Sequence, residues 1–414
     1  MSFLSEYEAS DAKVDLLHQW VSTRAKELFA ELRPERPILV TPGPVLVTRY
    51  ADVQEVLSRH KVFTVRHLAE RMDGVVGPYM LGRDATVYNE RDRGVMQAVL
   101  SRDDFPRVRE TVVRLADRAI DEETRDGRLD AVSGLSRRVP VDLCGDYFGF
   151  GGPDRPTMMR WSRTANLDFF FNLGNDPALH DPAVACGEEM RAYLGGLIAE
   201  RRAGIAAWAR YDDVLGRLLE TSFPAAVGFD DERIAANVMF MLLGGVETVS
   251  GAVILALDEL LRRPEPLAAA TAAARAGDSG EVGRHVWEAL RLNPIFAFVA
   301  RRSVEDYTLA SGTERETRIP AGTLVYASLA SAGLDENEVP EPEEYRLGRP
   351  EHHLNMHFGY GHHLCLLYYL ARIEVPEIVA RLLRRGVRRA PGSEGRIDTQ
   401  GGPFAERLIV ELES

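Results

Sequence analysis

The chain has 414 residues, of which 45% are hydrophobic and 27% charged, so it holds enough apolar material for a large buried core. Its net charge of −13 argues against nucleic acid and anionic membranes as general partners, because an acidic surface is repelled by both. Three widely spaced cysteines, without a CxxC pair, argue against a disulfide scaffold or a zinc cluster and fit a reducing compartment.

The N-terminal segment carries acidic side chains early and lacks an apolar core, so it does not match a signal peptide or a membrane anchor. We therefore expect a cytoplasmic protein. Length alone allows two or three domains, but no Ser/Gly/Pro-rich linker and no internal repeat divides the sequence. The prediction is a single domain over residues 1–414.

Hydrophobic periodicity and turn residues predict the elements in chain order. They are a hairpin over 38–48, a helix over 51–60, a mostly helical region over 89–263, a helix over 278–292, strands within 296–328, an irregular stretch over 332–364, a helix over 366–385 and a hairpin over 398–413. The sum is a mainly α fold with a minor β part, which argues against a doubly wound nucleotide-binding fold.

The segment Ile234–Leu257 is long and apolar enough to span a bilayer and carries one charge, Glu247. Its flanks are acidic, whereas a membrane helix has basic anchors at its ends. We predict that this segment is the buried central helix of a soluble protein, capped at its start by Asp230 or Asp231.

Cys365 closes the glycine-punctuated segment FGYGHHLC, directly before the last predicted helix. A helix start favours thiolate over thiol, because unpaired N–H groups and the positive end of the helix dipole meet there. Such a thiolate serves as a nucleophile or as a ligand to a soft metal centre, and the third interpretation is a buried structural cysteine. A nucleophile needs a paired base, and His363 is too close in sequence to face the thiol well, so metal ligation fits better.

Glu247 and Thr248 follow the pair Gly244-Gly245 inside the apolar helix. The glycines cost the helix about 1 kcal/mol each relative to alanine, but they allow a flat group to pack against the backbone. A lone buried acid is costly unless it is paired or functional, and a neighbouring hydroxyl can bond back to the preceding carbonyl and open the helix locally. The pair therefore suits a proton relay to bound dioxygen, and the alternative is a packing glycine pair with a buried Glu that meets an Arg.

Glu288 and Arg291 share one helix face at i, i+3, a spacing that is also common among surface pairs. Their value lies in the order of the motifs: Gly-Gly-x-Glu-Thr, then Glu-x-x-Arg about 40 residues on, then the FGxGxHxC loop about 75 residues further. This order resembles the cytochrome P450 family over essentially the whole chain. The resemblance implies that family's fold, a triangular prism of helices around a buried haem.

The resemblance also implies residue roles around haem b (iron protoporphyrin IX). Cys365 would be the axial thiolate ligand of the iron, and Glu247 with Thr248 the oxygen-activating acid and alcohol. The other implied roles are close helix–haem packing at Gly244 and Gly245, shielding of the sulfur by Phe358, contacts to the haem propionates from Arg93, Arg301, His363 and Asn89, and bracing of the cysteine loop by Glu288, Arg291 and Arg349. Apolar residues are expected to line the substrate pocket, with ordinary core as the alternative: Met241, Ile295, Phe296, Phe298, Val299, Phe404 and parts of 67–88 and 166–174.

Three positions depart from the family's pattern. The glycine usually found two residues after the ligand is Leu367, and bulky Tyr368 follows it, which crowds the helix start. Asn89 stands where a propionate-binding His is often found. The family's usual Asn-Arg-Asp turn is replaced by Gly333-Leu334-Asp335, and none of these changes removes a catalytic group.

The implied function is a haem-thiolate monooxygenase that inserts one atom of O₂ into an apolar small organic substrate. The sequence holds no flavin- or iron–sulfur-binding segment, so electrons are expected from a separate ferredoxin and its reductase. Candidate docking residues for an acidic ferredoxin are Arg346, Arg349 and Arg372. Two alternatives keep the haem: a peroxide-dependent peroxygenase or hydroperoxide isomerase, which the Glu-Thr pair argues against, and a non-catalytic haem-binding protein, which Leu367 favours.

Overall fold

The computed structural model describes residues 2–84 and 86–413. Met1, Ala85 and Ser414 belong to the predicted domain but lie outside the described residues, and Ala85 also belongs to the predicted pocket segment 67–88. The α-helices, in chain order, are α1 (Phe3–Ala9), α2 (Lys13–Thr23), α3 (Ala25–Glu35), α4 (Tyr50–Ser58), α5 (Arg66–Val75), α6 (Val87–Val99), α7 (Phe105–Glu123), α8 (Arg138–Leu143), α9 (Arg155–Asn166), α10 (Pro177–Ala206), α11 (Val214–Glu220), α12 (Asp231–Leu261), α13 (Pro264–Ala276), α14 (Ser279–Leu292), α15 (Leu329–Ala332), α16 (Glu351–Asn355) and α17 (Tyr368–Arg384). The strands are β1 (Ile38–Val40), β2 (Val45–Val47), β3 (Phe63–Thr64), β4 (Arg128–Asp130), β5 (Val299–Ser303), β6 (Tyr307–Leu309), β7 (Thr317–Ile319), β8 (Leu324–Ala327), β9 (Val387–Arg389) and β10 (Ile409–Leu412).

The predicted mainly α fold with a minor β part is confirmed. β1 and β2 form the expected hairpin, with Ile38 opposite Val47, because the turn between them is short and rich in glycine and proline. The carboxylate of Asp230 caps α12 by accepting a hydrogen bond from the Arg233 amide at 3.0 Å. α14 ends at Leu292, directly before the predicted Asn-Pro stop.

The predicted hairpin at the C-terminal end is wrong in its pairing. A single bridge joins Asp398 and Arg407, whereas β10 pairs antiparallel with both β4 and β9. The alternating pattern identifies a strand, but the partner of a strand is decided by packing against segments that are distant in sequence.

The chain divides into two compact units, so the single domain stays a prediction. The first unit comprises the chain up to His67 together with Trp287–Cys365. Its sheet has the order β1-β2-β8-β5-β3, in which β2 and β8 run parallel and the other neighbours antiparallel. One face of this sheet packs on α4, and helices α1 to α3 pack around Leu46 and Tyr326.

The second unit comprises Leu68–Val286 and the chain from Leu366 onward. Its centre is α12, which packs against α8, α9, α10, α13 and α17. Among the described residues, α12 is the helix whose length and composition would allow it to cross a membrane, but 72% of its most apolar stretch is buried inside the protein. The predicted buried central helix is therefore present, and its neighbours are other helices.

Candidate active site

The cysteine loop, Phe358–Cys365, lies in the first unit and is a tight turn. The Cys365 amide donates to the Phe358 carbonyl oxygen at 3.1 Å. Gly359 and Gly361 have φ of +80° and +70°, a region that favours glycine. A Cβ on Gly361 would lie 3.0 Å from the carbonyl oxygen of Leu57, so space as well as conformation requires glycine there. The loop thus holds a half-buried cysteine at a defined position.

Helix α17 begins at Tyr368, not at Leu366 as predicted. The two residues after Cys365 form a turn, and Leu367 is the N-cap, without a side-chain hydrogen bond to the helix. Cys365 therefore precedes the helix by three residues instead of opening it. Tyr368, the second bulky departure from the family's pattern, accepts a hydrogen bond on its hydroxyl from Arg372 at 2.8 Å.

Three further predicted haem-contacting residues lie in the first unit. Phe358 packs its ring against Trp287, with the ring centroids 5.6 Å apart. His363 is buried at the end of a 3₁₀ turn, and Arg301 is buried on β5, opposite Val325. Their roles toward a haem stay predictions.

Glu288, Arg291 and Arg349 lie together, and we call them the Glu288 cluster. The Glu288 carboxylate accepts two hydrogen bonds from Arg291, at 2.7 and 2.9 Å, and one from Arg349 at 3.1 Å. The backbone amide of Arg346 donates to the same carboxylate at 2.9 Å. The two arginines also donate to backbone carbonyls of Gly333, Pro340, Glu341, Pro342 and Glu344. The cluster thus ties the segment that precedes the cysteine loop in sequence to α14.

Arg349 is also a predicted docking residue for ferredoxin, and that prediction is wrong. Its side chain is 3% exposed, because its guanidinium is used by Glu288 and by backbone carbonyls. Arg346 is 58% exposed and pairs with Glu341, and Arg372 is half-buried. The basic surface expected from the sequence is therefore smaller by one arginine.

In the second unit, α12 carries a half-exposed stripe within an otherwise buried stretch. Gly244, Gly245, Thr248 and Gly251 form this stripe at helical spacing. A Cβ on Gly245 would meet no atom within 4 Å, so the backbone borders open space there. The Thr248 hydroxyl donates to the Gly244 carbonyl at 2.5 Å, and the helix continues through this point without a break. A stripe of three glycines and one threonine leaves room for a flat group such as a haem to approach the helix.

Glu247 is 2% exposed and is held by two arginines. The guanidinium of Arg137 lies 3.1 Å from one carboxylate oxygen, and that of Arg163 lies 2.9 Å from the other. Both arginines also pair with Glu406, and Arg163 lies 4.3 Å above the ring of Phe404. Glu247 therefore pairs with arginines, as expected from the interpretation of a packing glycine pair with a buried Glu that meets an Arg. The sequence does not predict Arg137 and Arg163 as the partners of Glu247, because they belong to no local motif and lie on other elements.

Asn89 and Arg93 lie one turn apart on α6 of the second unit. The Asn89 side chain is buried, and its NH₂ group donates to the carbonyl oxygens of Met80 at 2.9 Å and Arg83 at 3.1 Å. Both amide hydrogens are therefore used within the protein, which counts against the predicted contact to a haem propionate. Arg93 is half-buried, and its predicted role is unaffected.

The predicted pocket residues occupy different environments. In the second unit, Met241 is buried on α12, and Phe404 packs edge-on against Phe171 at 5.0 Å. The remaining candidates lie in the first unit and are half-buried: Ile295, Phe296, Phe298 and Val299. Phe298 stacks on Tyr326 at 4.1 Å, which is a core contact, and the pocket itself stays a prediction.

Known proteins resemble this chain along most of its length. A family model described as cytochrome P450 matches residues 282–386, which include the Glu288 cluster and the cysteine loop. The chain is 24% identical over 367 residues, 86% of each protein, to pulcherriminic acid synthase of Bacillus subtilis (strain 168). It is 30% identical over 281 residues, 68% of this chain and 61% of the relative, to cytochrome P450 monooxygenase PikC of Streptomyces venezuelae.

The fold is likewise that of solved cytochrome P450 structures. The structure of cytochrome P450 CYP109Q5 from Chondromyces apiculatus matches with a TM-score of 0.77 at 22% identity, covering 95% of this chain and 96% of that one. The three motifs, the family model and this fold agree. The chain belongs to the cytochrome P450 family, as a haem-dependent monooxygenase of the bacterial type.

Proposed function

We propose that the chain binds haem b through the Cys365 thiolate and inserts one atom of O₂ into an apolar small organic substrate. The observation that carries this proposal is the cysteine loop, a half-buried cysteine on a turn in which the backbone conformation favours glycine at 359 and 361 and the space at 361 requires it. The haem, when bound, supplies the iron chemistry that activates dioxygen, with electron donation from the thiolate.

The half-exposed stripe on α12 supports a haem-facing role for Thr248. Its hydroxyl hydrogen bonds to the Gly244 carbonyl, so the proton has a defined resting position. Rotation about the Thr248 Cα–Cβ bond would turn this hydroxyl toward the open side of the stripe, where it could donate its proton. Thr248 is therefore proposed as the last proton donor in a relay of protein side chains.

Glu247 is proposed to resupply that proton. Each of its carboxylate oxygens is bound by one arginine, so the side chain has to leave Arg137 or Arg163 before it accepts a proton. The paired state and a released state would alternate during turnover. The two arginines then control when Glu247 is available for proton transfer, and they balance its negative charge while it is paired.

The electrons are proposed to come from a separate ferredoxin and its reductase in the cytoplasm. Arg346 and Arg372 remain as candidate contacts for an acidic ferredoxin. The apolar side chains around Ile295 and Phe296 support an apolar substrate.

The spectrum of the reduced, CO-bound protein tests the thiolate ligand. We expect the native protein to show the red-shifted Soret band that is typical of thiolate ligation, and Cys365→Ser to lack it. Cys186→Ser is the matched control, because Cys186 is a buried cysteine on α10, and it should keep the band. A native protein without the band would refute the proposed ligand.

Turnover assays separate the monooxygenase from its alternatives. With the ligand established, product formation with NAD(P)H, ferredoxin and reductase supports the proposal. Turnover with peroxide but never with the ferredoxin system would point to a peroxygenase. A protein that is silent in both assays, across substrates that shift its spin state, would point to a non-catalytic haem protein.

A further inference from the structure

We propose that Glu338, His352 and His353 form a binding site for a divalent transition-metal ion, with Zn²⁺ as the best match. The three residues lie in the first unit, and none of them has a role in the proposed oxygen chemistry. His352 and His353 lie on α16, and Glu338 lies in the irregular segment before it. One nitrogen from each imidazole and one carboxylate oxygen lie within 4.8 Å of one another.

The distances match an ion better than they match hydrogen bonds. The Nε2 atoms of His352 and His353 each lie 3.4 Å from the same carboxylate oxygen of Glu338. A charge-assisted N–H···O hydrogen bond is normally about 2.7–2.9 Å long. Tetrahedral Zn²⁺ has Zn–N and Zn–O bonds of about 2.0–2.1 Å, which separates neighbouring ligand atoms by about 3.4 Å. Each of the two observed nitrogen–oxygen separations is thus that expected between two ligands of one ion.

The exposure of the three side chains allows an ion to enter. His352 and Glu338 are 57% and 40% exposed, whereas His353 is 6% exposed. Nδ1 of His353 is buried, whereas Nε2 lies 3.4 Å from Glu338, so Nε2 is the nitrogen that can meet an ion. Two imidazoles and one carboxylate leave a fourth position for water, a donor set that suits Zn²⁺.

Tyr50 holds both segments that carry the ligands. Its hydroxyl donates to the His352 carbonyl at 3.3 Å, and its ring meets the rings of His352 and His353 edge-on, each at 6.5 Å. Its backbone amide donates to Asp335 at 2.8 Å, and the Asp335 carbonyl accepts from the Glu338 amide at 3.1 Å. Because these contacts hold the two backbone segments before an ion arrives, less ordering is needed on binding.

Binding of Zn²⁺ would connect the turn at Glu338 to α16. α16 leads through a 3₁₀ turn, Met356–Phe358, into the cysteine loop. An ion that binds the folded chain and not the unfolded one stabilises the fold. We therefore expect Zn²⁺ to raise the thermal unfolding midpoint of the protein.

Calorimetric titration of tag-free, haem-loaded, chelator-treated protein with zinc chloride tests the site. We expect one saturable equivalent of Zn²⁺ in the native protein. Because the loss of even an outer-shell partner weakens metal binding by about 10- to 100-fold, His352→Asn and Glu338→Gln should each weaken it by about 100-fold or more. His180→Gln is the matched control, because His180 pairs with Asp168 at 2.8 Å as an ordinary His–carboxylate pair.

The control should bind Zn²⁺ as the native protein does, and its unfolding midpoint should rise with Zn²⁺ to the same extent. That rise should be lost in Glu338→Gln and in His352→Asn. An unchanged spectrum of the reduced, CO-bound form shows that each variant is folded. Absence of saturable binding by the native protein, or equal binding by the native protein and both ligand variants, would overturn the site.

Discussion

Burying the Glu247 carboxylate in α12 costs desolvation free energy, even though two arginines bind it. Glu247 lies on the most apolar helix of the chain, and replacing such an ionic group with apolar side chains is often neutral or stabilising. A purely structural α12 would not need it. The cost of burying this charge is therefore the residue-scale argument that Glu247 has a function beyond packing.

Glu247→Gln should slow substrate oxidation by about 10²- to 10⁴-fold, the range that a positioned proton donor or acceptor contributes. Glutamine keeps the size of the side chain and one oxygen that can accept a hydrogen bond from Arg137 or Arg163, but its NH₂ group cannot accept from the other arginine, and it cannot carry the proton. The measurement is kcat with the ferredoxin system, beside the spectrum of the reduced, CO-bound form, which should not change.

Glu406→Gln is the control for Glu247→Gln. Glu406 pairs with the same two arginines but does not adjoin Thr248 in sequence, so its loss changes the charge balance and leaves the proposed relay intact. We expect kcat to fall much less in this variant. Equal losses in the two variants would assign the effect to the arginines and not to proton transfer.

At the scale of elements, the Glu288 cluster determines how α14 holds the segment before the cysteine loop. Glu288→Gln removes the charge that faces Arg291 and Arg349 and leaves two buried guanidinium groups without it. Breaking a buried ion pair in this way costs about 3–5 kcal/mol. We expect the free energy of unfolding in urea to fall by that order, together with weaker retention of haem.

The comparison variant for Glu288→Gln is Arg346→Ala. It removes an exposed ion pair with Glu341, and surface pairs of this kind contribute about 0–1 kcal/mol. The backbone amide of residue 346, which donates to Glu288, is retained in this variant. If the two variants lost similar free energy, the cluster would not be the brace that we describe.

The sequence was sufficient to predict contacts between residues that are close in sequence, but not contacts between distant elements. The contact between Glu288 and Arg291 and the hairpin of β1 and β2 are local, so spacing and turn residues were enough to predict them. The arginines that hold Glu247 lie on other elements, and no spacing rule connects them to it. The buried position of Arg349 and the partners of β10 depend on tertiary packing in the same way, and both predictions failed there.

For the whole molecule, the pH dependence of stability comes from groups whose pKa differs between the folded and unfolded states. Burial raises the pKa of Glu374, on α17, from 4.5 to about 8. Burial also raises the pKa of the neighbouring Cys144 thiol, and the charge of Glu374 adds to that effect. At pH values between 4.5 and about 8, Glu374 keeps its proton in the folded chain but has released it in the unfolded chain. The contribution of Glu374 to the free energy of unfolding should therefore fall as pH rises from about 4.5 to about 8.

Glu374→Gln should remove this contribution, because the amide stays neutral at every pH. In urea unfolding of the haem-loaded protein at several pH values, the slope of the variant should be more positive than the native slope by up to about 1.4 kcal/mol per pH unit. Glu265→Gln, at an exposed glutamate of α13, should keep the native slope. A native slope in Glu374→Gln would mean that the Glu374 carboxyl is ionised in the folded chain, and that its burial is compensated by water or by local opening of α17.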